Sequence, residues 1–178
     1  MARLLVVYAS QYGQTRKIAD EIAAGLRGRG HGVEVVRAEE AGAVPIDSFD
    51  AIVAGAPVYR SRFPAEFEDW ARLHSRTLSS KPAAFFSVCL GILQDPEAQV
   101  AERRIVTDFF ARAGWNPPKW TIFAGALSYT KYGWLVRLMM RRIAQAAGGD
   151  TDTRRDHEYT DWDDVRAFAA EIHAMVGG

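Results

Sequence analysis

Residues Leu4–Ala19 read LLVVYASQYGQTRKIA, and the fold is decided there. Leu4 to Tyr8 is an unbroken apolar and aromatic run, rich in valine. Such a run predicts a strand covered on both faces, as in a parallel sheet. Turn-forming and polar residues follow at once: Ser10, Gln11, Tyr12, Gly13, Gln14 and Thr15. Ile18, Ile22 and Leu26 then recur at spacing four and predict a helix over Thr15–Arg27 with one apolar stripe. A strand that turns directly into a helix aims free backbone N–H groups, and the positive end of the helix dipole, at one spot. That spot suits a phosphate. Ser10 and Thr15 add hydroxyl donors there, and Gly13 lets the backbone approach closely.

Outward from this stretch, Gly28–Gly32 closes the helix, glycine tolerating the left-handed turn. Val33–Arg37, Asp50–Tyr59, Pro82–Leu90 and Trp120–Tyr129 read as four more strands. Ala65–Leu78, Pro96–Ala113 and Asp161–Val176 read as helices, the last capped by Thr160 or Asp161. Strand and helix alternate, which predicts an α/β fold with a doubly wound parallel sheet in a single domain over 1–178. Ligands of such sheets bind beyond the carboxyl ends of the strands. That rule gathers three loops: Ser10–Thr15, Ala56–Arg62 and Ser87–Leu93.

Composition narrows the function. The 22 basic and 22 acidic residues cancel, which argues against a nucleic-acid binder. No apolar run reaches the ~20 residues needed to span a bilayer, and the N-terminus lacks a signal-peptide core. Cys89 is the single cysteine, and four histidines are scattered without ligand spacing, so no metal is expected and the default is a cytoplasmic protein. The loop carries neither G-x-x-x-x-G-K-[ST] nor G-x-G-x-x-G, which disfavours a nucleoside triphosphate and a dinucleotide. What remains is an amide-and-hydroxyl nest for a single phosphate.

Ser10-x-x-Gly13-x-Thr15 after a first strand resembles the phosphate loop of flavodoxin-like proteins, which bind FMN there. Many of these place a threonine where this chain has Tyr12, so one donor is lost and the backbone nest is kept. The resemblance implies phosphate contacts from Ser10, Gln11, Tyr12, Gly13, Gln14 and Thr15. It implies ring contacts from Ala56, Pro57, Val58 and Tyr59, with Tyr59 a stacking candidate, and backbone contacts from Ser87, Val88, Cys89, Leu90 and Gly91. Cys89 reads as a small buried hydrophobe rather than a redox thiol, because no basic partner or second cysteine stands near it. Arg60 and Arg62 are candidate anchors for a carboxylate-bearing substrate. No Ser-His-Asp or Cys-His arrangement can be assigned, which fits a protein whose cofactor carries the redox chemistry.

One segment exceeds a minimal five-strand fold. From Lys131 to Ala147 there are four basic residues and no acid, with Leu135, Leu138, Met139 and Ile143 expected on one side of a helix. Two readings stand open: the stripe packs on the sheet edge, or the helix lies on an anionic membrane through Trp134, Arg137, Arg141 and Arg142. GQTRKIA (13–19), SRFPAEFEDW (61–70), SVCL (87–90), AGALSYTKYGW (124–134) and GGDTDTRRDHEYTDW (148–162) together resemble the menaquinone-dependent protoporphyrinogen IX dehydrogenase family. That resemblance implies sheet order 2-1-3-4-5, with an insertion at about 130–156 interrupting the fifth strand and His157–Thr160 as its resumed half. It also implies FMN as cofactor, protoporphyrinogen IX as electron donor and menaquinone or another quinone as acceptor, in heme biosynthesis. Peripheral contact with the cytoplasmic face of the inner membrane belongs to the same expectation, and self-association is left open. The alternatives are a flavodoxin-type electron carrier, which is typically acidic, and an NAD(P)H:quinone reductase on the same fold. A phospho-receiver fails, because the third strand ends in Gly55-Ala56-Pro57 without an acceptor aspartate.

Overall fold

The computed structural model describes residues 1–146 and 148–177. Strands β1 (Arg3–Tyr8), β2 (Gly32–Arg37), β3 (Ala51–Pro57), β4 (Ala83–Cys89) and β5 (Lys119–Ala124) form one parallel sheet in the order β2-β1-β3-β4-β5. The expected topology is therefore present. Every residue of β3 and β4 is buried, so the unbroken apolar runs follow from helices lying on both faces.

The period-two alternation sorts the core. Leu4, Val6, Val53 and Phe86 face helices α1 (Gln14–Arg27) and α6 (Trp162–Gly177), against Ile18, Ile22, Phe168 and Ile172. Leu5, Val7, Ile52 and Phe85 face the other side, against Phe67, Leu78, Val106 and Phe109. That side is covered by α2 (Ala65–Leu73), α3 (Ser75–Ser80) and α4 (Pro96–Ala113). The bounds of α4 are those its end signals predict: Asp95 accepts from the Ala98 N–H at 2.9 Å, Pro96 is the first helical residue, and Gly114 closes with φ 67°.

Two expectations are corrected. Ala65–Leu78 is two helices, broken at His74, which caps both at φ −101° and ψ 10°. The break turns Leu78 into the core, whereas Leu73 is exposed. The fifth strand stops at Ala124 and does not resume over His157–Thr160. At Gly125 the chain leaves the main sheet; its N–H donates to the Cys89 carbonyl and its carbonyl accepts from the Tyr159 N–H, each at 3.1 Å. Ala126–Leu127 (β6) then pairs antiparallel with His157–Glu158 (β7).

Helix α5 (Trp134–Ala146) lies between β6 and β7. Its inward residues are Val136, Met140 and Ala144, spaced by four, which pack with Leu127, Tyr129 and Tyr132. Of the stripe left open between the sheet edge and a surface, Leu135 is 62% exposed and Leu138 and Met139 are exposed too, so these residues do not pack on the sheet edge; Trp134 at the helix start is 79% exposed. Of that stripe the Ile143 side chain, and the expected helix end Ala147, lie outside the described residues.

Candidate functional site

The turn from β1 into α1 is held by its own residues. The Gly13 N–H donates to Ser10 Oγ at 3.0 Å, and Gly13, at φ 98°, stands at the N-cap without a side-chain cap. The first-turn N–H groups that follow have no intrahelical acceptor and point out of the sheet's carboxyl end. Gln14 and Thr15 are buried. The Gln14 amide is committed elsewhere: Nε2 donates to Thr160 Oγ1 at 2.9 Å, and that hydroxyl donates to the Ala124 carbonyl at 2.7 Å. The loop is thus tied to the chain that returns from β7. A second tie pairs Lys17 with Glu158 at 2.8 Å. Burial disfavours charge on Glu158, but hydrogen bonds from Lys17, Trp162 and Gln14 outweigh it and hold the carboxyl below its ordinary range.

A cavity of about 500 Å³ opens where the three loops converge. Of the expected cofactor residues it is lined by Gln11, Tyr12, Gln14, Thr15, Pro57, Val58, Tyr59, Val88, Cys89 and Leu90, and Arg60 joins them. Ser10, Gly13, Ala56, Ser87 and Gly91 do not line it. Ser87 is fully buried inside β4, and its Oγ has no partner among the described residues. Arg62 lines a smaller neighbouring depression with Ser10 and Arg37. Trp134, Arg137, Arg141 and Arg142 do not line the cavity. Arg137 is engaged in holding the segment, its guanidinium donating to the carbonyls of Tyr129 at 2.9 Å and Tyr132 at 3.2 Å.

The sequence reading missed the opposite wall. Ser128, Tyr132, Val136, Met139 and Met140 close the cavity from the segment after β5. The Tyr12 ring packs edge-on against Tyr59 at 5.8 Å and Tyr132 at 4.7 Å, so three tyrosines from three separated loops meet at the cavity. Gly125 was the available signal, an isolated glycine within a strand pattern that marks a break.

The electrostatics leave few ionisable groups for the site. Burial raises the Tyr59 hydroxyl far above its ordinary value, so it stays a neutral phenol. Burial, with the neighbouring Glu102 carboxylate adding, pushes the Cys89 thiol up to about 12. A thiol so high is not a thiolate at neutral pH and is no nucleophile. Glu102 itself is pushed up by burial. The site is a glycine-backed anion nest opening onto a cavity with aromatic, proline, valine and methionine walls. A flat aromatic ring system carrying a phosphate fits both halves: the nest lacks a cap where an anion would sit, and the walls are apolar.

A family model described as a flavodoxin domain matches residues 5–154. The chain belongs to this flavodoxin-domain family. Among curated members of known name, the protoporphyrinogen IX dehydrogenase (quinone) of Escherichia coli strain K12 is 32% identical over 171 residues, which span 96% of this chain and 94% of the relative. The protein of the same name from Leishmania major is 29% identical over 174 residues, spanning 97% of this chain and 75% of the relative. Among solved structures, oxidised flavodoxin 2 from Bacillus cereus superposes with a TM-score of 0.62 at 19% identity, covering 97% of this chain and 99% of the other. A short-chain flavodoxin associated with a bacterial microcompartment gives 0.61 at 17% identity, covering 99% of both. These two structures bear on the fold alone.

Proposed function

We propose that this flavodoxin-domain protein binds FMN at the three loops and oxidises protoporphyrinogen IX, passing the electrons to a quinone such as menaquinone, as a step of heme synthesis. The observation that carries the reading is the second wall of the cavity. The segment from Ser128 through α5 faces the three loops with Tyr132, Val136, Met139 and Met140. The same stretch lies within the near full-length match to relatives named for this reaction. An apolar wall suits a bulky tetrapyrrole or quinone better than it suits a nicotinamide dinucleotide. A bound FMN would supply the redox chemistry, carrying hydrogen equivalents two at a time from donor to quinone over successive rounds, each round reducing a fresh quinone to quinol until the porphyrinogen is fully oxidised. The chain's own part is positional. The α1 terminus and Ser10 would hold the phosphate, Tyr59 would flank the ring, and the segment's apolar residues would exclude water. Arg60, on the cavity rim, is the cation available to a propionate.

The outward face of α5 extends the proposal to a membrane surface. Trp134, Leu135 and Leu138 are exposed on it, with Arg141 and Arg142 exposed beside them. No helix among the described residues is long and apolar enough to cross a membrane. A quinone and a porphyrinogen are both poorly soluble in water, and a cavity opening beside a surface-lying helix would receive them from the lipid.

The test is porphyrin fluorescence with the FMN-loaded protein, protoporphyrinogen IX and a menaquinone analogue, against a control without quinone. A quinone-dependent rise above autoxidation is expected. A reducible flavin without that rise would replace the reading with an electron carrier. Bleaching of the flavin by NAD(P)H would replace it with a nicotinamide-dependent quinone reductase.

A further inference from the structure

Of the cations beside the Ser10–Thr15 loop, those on α1 and β2 are paired. Arg16 meets Asp20 at 3.6 Å, Lys17 meets Glu158 at 2.8 Å and Arg37 meets Glu39 at 2.9 Å. Lys131 has no carboxylate within ion-pair distance among the described residues. Its Nζ donates instead to the Tyr12 carbonyl at 2.7 Å, and it lies 3.3 Å from where a Cβ on Gly13 would stand. An ammonium on the backbone of an anion nest, with a lone carbonyl as partner, is a charge in waiting.

The base of that side chain is fixed. Lys131 ends a 3-10 turn over Tyr129–Lys131, its N–H donating to the Ser128 carbonyl at 2.9 Å. The Thr130 N–H and hydroxyl both donate to Asp156 Oδ1, each at 2.8 Å. Tyr132 packs edge-on against Tyr12 from the next position. The turn therefore presents Lys131 to the loop, while the four-carbon stem leaves its ammonium free to move a few ångströms.

We propose that Lys131 is a phosphate-binding residue of the cofactor site, its ammonium passing from the Tyr12 carbonyl to the FMN phosphate. This rests on the cofactor reading above. A phosphate monoester carries close to two negative charges at neutral pH, against about half a positive charge from a helix terminus. The loop's hydroxyls and amides add no formal charge. The position where the family commonly has another donor is Tyr12, whose ring is committed to Tyr59 and Tyr132. Lys131 supplies from the returning segment the donor and the charge that the loop lacks. Cofactor binding then also pins the segment that forms the cavity's second wall.

The experiment compares FMN with riboflavin, which lacks the phosphate, by quenching of flavin fluorescence on the full chain. Lys131→Met should weaken FMN binding about tenfold or more, the scale of one lost charge-assisted bond. Riboflavin affinity should change by less than about twofold, and Lys131→Arg should keep most of the FMN affinity. Thermal unfolding of the flavin-free variants shows that they are folded; if the methionine variant is not, Lys131→Gln is read in the same assay. Equal losses for FMN and riboflavin would mean that Lys131 only holds the segment, and would overturn the assignment. Unchanged affinity for both would overturn it as well. Wild-type protein that binds neither flavin would overturn the cofactor reading and the assignment with it, whereas a wild-type site that binds FMN isolates the lysine.

Discussion

Gly55 shows how one residue next to the site is dictated by packing. It lies in β3, and a Cβ there would stand 2.0 Å from the Phe86 ring, which crosses it from β4. Gly55→Ala should therefore destabilise the fold by about 1–3 kcal/mol through overpacking. A urea midpoint lowered in Gly55→Ala and partly restored in Gly55→Ala with Phe86→Leu is expected; no recovery in the double variant would place the strain elsewhere. His31 carries a different kind of constraint. Its Nδ1 accepts from the Ala2 N–H at 3.3 Å, so Nε2 bears the proton and donates to His173 Nδ1 at 2.8 Å. Burial first, then His173 and the N-terminal amine, lower its pKa from the ordinary 6.5. A histidine lowered in the folded state contributes stability above the unfolded pKa, and that contribution is lost as pH falls through the range below 6.5. Between about pH 7.5 and 5.5 the wild-type Tm should fall further than that of His31→Leu. Parallel Tm profiles for the two proteins would contradict this.

Elements differ in how openly their residues announce them. The central strands β1, β3 and β4 were legible because burial on both faces demands continuous apolar runs, and α4 because Asp95-Pro96 and Gly114 mark its ends. The orientation of α5 was not legible. Both of its arcs are apolar, and Val136, Met140 and Ala144 are selected as the inner one by packing on Leu127, Tyr129 and Tyr132, which depends on how the chain turns after β6 and not on the helix's own periodicity. Reading β5 through to Tyr129 hid the second cavity wall, since a strand over Ala126–Tyr129 could not have turned Ser128 and Tyr132 back toward the loops. Most of the loop side of the site was legible, because a strand–helix turn places its backbone donors locally; the far wall was made by tertiary return. The second of the three loops, Ala56–Arg62, adds a feature that periodicity cannot reveal. Tyr59 and Arg62 exchange backbone hydrogen bonds at 2.8 and 3.0 Å around Arg60 at φ 50° and Ser61 at φ 60°. Two successive left-handed residues without glycine are costly, at ~1–2 kcal/mol each. Ser61→Gly should raise stability by up to about 1 kcal/mol after the greater freedom of glycine in the unfolded chain is subtracted. A higher urea midpoint is the expected reading, and an unchanged or lower one would show that the turn carries no such strain.

At the scale of the whole molecule, a chain of zero formal net charge concentrates cations and bare apolar surface on one helix. The arc of α5 that turns away from the body presents Trp134, Leu135 and Leu138, with Arg142 among them and Arg141 at its edge, and Met139 stands at the boundary, exposed and lining the cavity. Its other side closes the cavity with Val136 and Met140. Laid on a bilayer by its outer arc, the helix would set the cavity mouth at headgroup depth, where a quinone or porphyrinogen enters without crossing water. Arginines near an anionic surface contribute about 1 kcal/mol each, and their stems lie along apolar surface while the guanidinium reaches the phosphates. Arg141→Glu with Arg142→Glu should therefore weaken binding to phosphatidylglycerol vesicles by about tenfold or more, and leave binding to phosphatidylcholine vesicles little changed. Trp134→Ser with Leu138→Ser should weaken binding to both, since the apolar contribution does not depend on lipid charge. Sedimentation of the full chain with each vesicle type reads both effects. Vesicle binding that neither pair alters would remove α5 from the docking surface and leave its outer arc without a membrane role.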